Sequence, residues 1–177
     1  MCGGIRSGIT GNRADGLVID DPFSGREGAE SEAIRKKTKE AYKDDILTRI
    51  KPNGWKLIIN TRWHEEDLCG DILPADYQGG SGVYTAKDGE KWYVLNFQAE
   101  CQTDTDPLNR EIGEFLWLEW FNLEWWQQTK RNKAGYSWSS LYQGAPTPAE
   151  GVFFKREWFK RYNLGQEPQR FNKYIAS

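Results

Sequence analysis

The sequence predicts an α/β fold in which parallel strands are joined by a crossover helix. Three observations carry this. Leu17-Val18-Ile19 is a short apolar run that stops abruptly at Asp20-Asp21-Pro22. Leu57-Ile58-Ile59 is a second such run, and it stops at Asn60-Thr61-Arg62-Trp63-His64. Between them the apolar residues recur at helical spacing. A run that is apolar at every position fits a strand buried on both faces, the habit of parallel sheets. Strand, helix and strand in immediate succession make a βαβ unit, whose crossover is right-handed.

The elements follow in order. Residues 3–16 are glycine-rich and polar and predict a short strand or hairpin leading into the first apolar run. Pro22, Ser24 and Gly25 make a turn. From 31 to 50, Ile34, Ala41, Tyr42, Ile46 and Ile50 form one stripe, with Arg35, Lys36, Lys39, Glu40, Lys43 and Asp44 around it. That pattern is an amphipathic helix. Ser31 is its predicted N-cap, and Pro52 with Gly54 stops it. The second strand runs from 55 to 60, and 67–73 predicts a short helix. A Gly-rich loop at 78–82 precedes a third strand at 92–97. The polar stretch 103–110 is a loop, and 115–126 reads as a turn followed by a helix. Pro146 and Pro148 mark a boundary, and the tail ends on the strand-like Tyr174-Ile175-Ala176-Ser177. The domain division expected from this is 1–148 and 149–177.

Composition narrows the class. A chain of 177 residues suits one domain, or one plus a fragment. Twenty-four Lys and Arg stand against twenty-six Asp and Glu, a net charge of −2, so any contact with DNA has to come from a local patch. Cys2, Cys69 and Cys101 are scattered and fit reduced thiols rather than a metal framework. Residues 1–16 hold no apolar core of a signal peptide. No run approaches the ~20 apolar residues of a membrane span, so the reading is soluble and cytoplasmic, with no membrane partner.

The chemistry gathers at the two strand ends, since ligands of open parallel sheets bind where strand carboxyl ends emerge. Asp20 and Asp21 could hold the Mg²⁺ of a nucleotide and polarise water. Equally, Asp21-Pro22 could simply open a turn. Thr61, Arg62 and His64 put a hydroxyl, a guanidinium and the only imidazole of the chain at the other end. Arg suits bidentate contact with phosphate. The alternative is local packing of Trp63 and His64, with Arg62 paired to Glu65 or Glu66. Gly3-Gly4-Ile5-Arg6-Ser7-Gly8-Ile9-Thr10 nearly spells a phosphate loop, but Ile9 stands where the lysine belongs. Nine Trp enrich the chain, and those between 115 and 126 read as core and domain interface rather than base-stacking platforms, because Glu119 and Glu124 lie among them. Lys155, Arg156, Lys160 and Arg161 form a basic stretch of tail whose default reading is a solvated face, with DNA contact as the alternative.

Three blocks together resemble the large terminase subunit of tailed phages and prophages. They are Ile9-Thr10-Gly11-Asn12-Arg13-Ala14-Asp15-Gly16-Leu17-Val18-Ile19-Asp20-Asp21-Pro22, Thr61-Arg62-Trp63-His64-Glu65-Glu66-Asp67-Leu68-Cys69-Gly70, and Leu141-Tyr142-Gln143-Gly144-Ala145-Pro146. The resemblance implies a DNA-packaging motor, an ATPase followed by an RNase H-like nuclease, working on double-stranded DNA in the host cytoplasm. Its implied cofactors are ATP and Mg²⁺. Its implied partners are the portal, the small terminase subunit and further copies of the same chain.

Carried over by position, Asp20 is the Walker B metal ligand. Asp21 stands where many such motors place a catalytic Glu, on a shorter arm. Thr61 and Arg62 match the motif that couples hydrolysis to movement, Arg62 as a catalytic group and Thr61 with His64 toward the nucleotide. The resemblance places the phosphate loop of the family ahead of Met1 and the first nuclease carboxylate after Ser177. The expected fold is thus a partial P-loop-type ATPase sheet, truncated at both ends and inactive alone. Two rival readings are a Mg²⁺-dependent nuclease using Asp20 and Asp21 and a non-catalytic assembly module.

Overall fold

A computed structural model of the chain describes residues 3–5, 13–133 and 135–147. The tail, its basic stretch, the closing strand-like residues and most of the near-phosphate-loop lie outside the described residues.

The predicted βαβ unit is present. Strand β1 (Ala14–Asp20) pairs in parallel with β2 (Ile50–Ile59), Val18 opposite Leu57 and Asp20 opposite Ile59. After a bend over residues 21–25 the connection is helical except at Ser31: α1 (Arg26–Glu30), α2 (Glu32–Glu40), a π-helical turn over Ala41–Ile46 and a 3₁₀ turn over Leu47–Arg49. Ser31 caps α2, its hydroxyl accepting from the amide of Ile34 at 3.4 Å, which satisfies one of the free donors of the first turn. The helical path ends before Pro52, and β2 starts at Ile50 and runs through it. Pro52 is exposed and has no bridge partner in β1, so the missing donor costs the ladder no bond there.

The stripe foreseen on this helix buries Ala41, Tyr42 and Ile46. Ile19, Phe23, Ala29, Tyr42 and Leu68 make the core, with Leu17, Ile34, Ile58 and Ile72 against it. Burial on both faces of the strands does not occur among the described residues. The helices cover the side carrying Ile19 and Ile58, while Val18, Trp55, Leu57 and Ile59 on the other side are about half exposed. One helical crossover can cover only one face of a sheet. Gly16 leaves room for the Trp55 ring, since a Cβ on it would lie 2.1 Å from that ring and displace it.

The short helix α3 (Leu68–Ile72) follows β2 as expected. The third strand is shorter than read and belongs to an antiparallel hairpin, β3 (Gly82–Thr85) with β4 (Lys91–Val94), because Asp88-Gly89 supplies a tight turn that the strand reading left out. Helix α4 (Leu123–Asn132) starts at Asn122, whose side chain accepts from the Trp125 amide at 2.9 Å. Trp126 and Trp138 build a second core with Ala99, flanked by Phe115, Phe121 and Tyr142. The packing role read for the Trp-rich stretch therefore holds for Trp126, whereas Trp117, Trp120 and Trp125 stay exposed. A last helical piece, α5 (Gly135–Ser137) with a π turn over Trp138–Tyr142, closes the described fold.

Candidate functional site

Parallel pairing brings the ends of β1 and β2 to the same edge, and the first two motifs meet there. Asp21 is the joint. Its amide donates to the carbonyl of Ile59 at 2.9 Å, and its carboxylate Oδ1 accepts from the amide of Thr61 at 2.8 Å. Asp21 sits at φ 37°, in the left-handed region that Asp tolerates better than most residues. That turn swings its side chain across to the neighbouring strand end. One carboxylate oxygen is thus committed to the backbone of the second motif.

Asp20, one residue earlier, is exposed and has no ion pair or hydrogen bond through its side chain among the described residues. By register it shares the uncovered side of the sheet with Val18. Its carboxylate fits a Mg²⁺ ion that keeps its waters and its phosphate ligands, since such an ion needs only one or two protein carboxylates. It does not fit a closed protein cage: among the described residues no three His, Cys, Asp or Glu side chains gather for a metal.

Arg62 pairs with neither Glu65 nor Glu66. Its Nε donates to both oxygens of Asp67, at 3.0 and 2.8 Å, and Asp67 is fully buried. Asp67 also caps α3 by accepting from the amide of Gly70 at 2.9 Å. Holding the guanidinium by Nε leaves its two terminal nitrogens without a partner among the described residues. Gly70 permits this closeness, because a Cβ there would lie 1.7 Å from the carbonyl oxygen of Glu65 and 3.3 Å from a terminal nitrogen of Arg62. Glu66 pairs instead with Arg35, a buried helix residue that also donates to the carbonyls of Ala29 and Glu30.

His64 turns back on its own loop, its Nδ1 accepting from the amide of Glu66 at 3.0 Å. Burial and the nearby Arg35 charge hold its pKa below the ordinary value, against the pull of Glu65, Glu66 and Asp67. Its Nδ1 thus serves as an acceptor within the loop. Trp63 packs on the guanidinium of Arg26, and its carbonyl accepts from the hydroxyl of Tyr136 at 2.8 Å.

Asp20, Asp21, Thr61 and Arg62 therefore stand at the same pair of strand ends, while the ring of His64 is engaged within its own loop. Sequence reasoning missed Asp67, Gly70 and Arg35. The first had a readable signal, an Asp one residue ahead of a predicted short helix, which is an N-cap position. The other two had none, because their partners are remote in sequence or are backbone.

Thr61 and Arg62 also line a cavity of about 520 Å³ that extends along β2 and residues 92–97. This is an α/β protein with an acidic and a basic strand end joined at one sheet edge. Residues 2–161 match the family described as terminase large subunit, T4-like-virus type, N-terminal, and the chain belongs to that family. Its place is in phage DNA packaging. Neither the curated proteins nor the solved structures gave a match. Among the described residues no helix is long and apolar enough to cross a membrane.

Proposed function

We propose that the joined ends of β1 and β2 form the magnesium and coupling edge of an ATP-driven DNA-packaging motor. The observation that carries this is the bond between Asp21 and the Thr61 amide, which ties the acidic motif directly to the backbone of the Thr-Arg motif. In this reading Asp20 holds the Mg²⁺ of ATP, and the metal supplies charge neutralisation on the phosphates. Asp21 keeps one free oxygen to orient water and uses the other to hold Thr61 in place. The Thr61 hydroxyl and the terminal nitrogens of Arg62 face the phosphates. His64 fixes the shape of the loop that carries Arg62.

Coupling follows from the same geometry. A guanidinium that contacts the γ-phosphate feels its loss, and Arg62 is rigidly joined through Asp67 to the start of α3. A change at the phosphate would therefore pull on a helix. The proposal includes the wider setting: residues 1–148 as the later part of an ATPase domain, 149–177 as linker and nuclease start, double-stranded DNA as substrate, and portal, small subunit and sister copies as partners in the host cytoplasm. Residues 3–16 lack the phosphate-loop lysine, so the 177 residues alone turn over no ATP.

The test is made in a full-length terminase carrying this segment, with ATP hydrolysis, packaging and DNA cleavage measured side by side. Asp20→Asn stops hydrolysis and packaging and spares cleavage. Arg62→Ala impairs packaging at least as much as hydrolysis. Normal packaging with Arg62→Ala, or cleavage lost with Asp20→Asn in the absence of ATP, overturns the assignment.

A further inference from the structure

Two indoles stand out on the surface above the second core. Trp117 is 61% exposed and Trp120 72%, with ring centroids 5.9 Å apart and planes tilted by 32°. The turn that carries them is pinned. The Leu116 amide donates to the carbonyl of Ala99 at 2.7 Å, and the carbonyl of Leu116 accepts from Nε1 of the buried Trp126 at 2.8 Å. The carbonyl of Trp117 accepts from the amides of Trp120 and Phe121, both at 3.0 Å. Trp117 itself sits at φ 57°, in the left-handed region that bulky residues rarely occupy. Strained residues of this kind cluster at binding and switch sites.

The charge around the two rings has one sign. Residues 111–126 hold four Glu and no Lys or Arg. Glu119 and Glu124 are exposed and have no ion pair or side-chain hydrogen bond among the described residues. Leu118, Leu123 and Trp125 beside them are close to half exposed. Such a surface repels the phosphates of DNA. Its complement is an aromatic segment that carries cations, which an indole face attracts and a carboxylate pairs.

The chain itself contains such a segment. Val152-Phe153-Phe154-Lys155-Arg156-Glu157-Trp158-Phe159-Lys160-Arg161-Tyr162 sets five aromatic and four basic residues against one acid. It also follows from a nearby point. The carbonyl of Tyr142 accepts from the amide of Ala99 at 2.7 Å, and the carbonyl of Ala99 is the one that holds Leu116. Tyr142 and Leu116 thus flank the same residue, and at about 3.4 Å per residue the stretch 143–151 is long enough to return to the turn beside Leu116. We propose that residues 152–162 seat on the Trp117–Trp120 platform of the same copy, their aromatic rings covering the exposed indoles and their Lys and Arg pairing with Glu119 and Glu124. This inference rests on surface chemistry and is independent of the nucleotide site proposed above.

The test uses the full chain labelled with fluorotryptophan, each ¹⁹F resonance assigned by single Trp-to-Phe substitutions, with the isotope shift between light and heavy water as the measure of solvent contact. In the monomeric wild-type chain Trp117, Trp120 and Trp158 are shielded. Lys155→Glu, Arg156→Glu, Lys160→Glu and Arg161→Glu together at least double the isotope shift of Trp117 and Trp120, while Trp126 and Trp138 keep theirs and so report an intact core. Adding Glu119→Lys and Glu124→Lys to that reversed tail restores the shielding. Trp117→Gly, which suits the backbone at φ 57°, exposes Trp158. Open Trp117 and Trp120 in the wild-type chain, shielding indifferent to reversal of the tail, no recovery in the charge-swapped chain, shielding lost on dilution as a second copy would give, or shielding that appears only with added duplex DNA would each overturn the proposal.

Discussion

The carboxylate of Asp21 accepts a hydrogen bond from the amide of Thr61 at 2.8 Å, across two strands separated by the whole crossover helix. Two motifs that look independent in the sequence are thereby one structural unit. The bond also divides two adjacent acids into different jobs: Asp21 is held and Asp20 is free.

That division predicts unequal stability effects. Asp20→Asn, at an exposed side chain without partners among the described residues, should change unfolding free energy by no more than about 0.5 kcal/mol. Asp21→Ala should cost about 1.5–3 kcal/mol, since a charge-assisted bond is lost and alanine is strained at φ 37°. Asp21→Asn should fall between, because its amide oxygen can still accept and Asn tolerates this backbone. Urea unfolding of the three variants gives the order.

Asp67 has the larger role in stability. Asp67→Ala removes the only ion-pair partner of Arg62 among the described residues, at a site where Asp67 is fully buried, and strips the N-cap from α3. Breaking a buried pair from one side costs about 3–5 kcal/mol. Replacing both partners, as Arg62→Met with Asp67→Leu, should recover a large part of that loss. A double-mutant cycle by chemical denaturation measures it. If the single and double variants are equally unstable, the pair is not the source of the cost.

Gly70→Ala tests the close crossing of the loop. The added methyl would sit 1.7 Å from a backbone oxygen, which no rotamer change relieves. We expect a loss of at least about 2 kcal/mol and a displaced Arg62, seen as a shifted Nε–H resonance. Wild-type stability with an unmoved resonance would contradict the geometry.

His64 gives a pH signature. Its folded pKa lies below the ordinary value, chiefly through burial and then through Arg35, so the unfolded chain binds the proton more tightly. Its contribution to stability is therefore fully present above the unfolded pKa, about 6.5, and is lost as pH falls from there through the folded pKa. Unfolding followed between pH 8 and pH 5 should show the decline, and His64→Gln should flatten it. An unchanged slope in the variant would assign the decline to other groups.

The sequence by itself determined the local elements and which polar residues stand at the two strand ends. Unbroken apolar runs ending at polar residues marked β1 and β2, the stripe from Ile34 to Ile46 marked the helical crossover, and Ser31 marked its start. Each of these signals is local, because periodicity and capping depend on neighbours a few residues apart. Tertiary structure alone decided what the polar residues do. Arg62 chose Asp67 over Glu65 and Glu66 because the loop folds back over Gly70. Glu66 went to Arg35, thirty-one residues away. The antiparallel β3–β4 hairpin and the cavity beside β2 depend on which elements meet in space, and Leu57 or Ile59 reads the same in sequence whether its face is covered or open. Hydrophobic patterning says that a surface must be buried, while only the arrangement of the chain says against what.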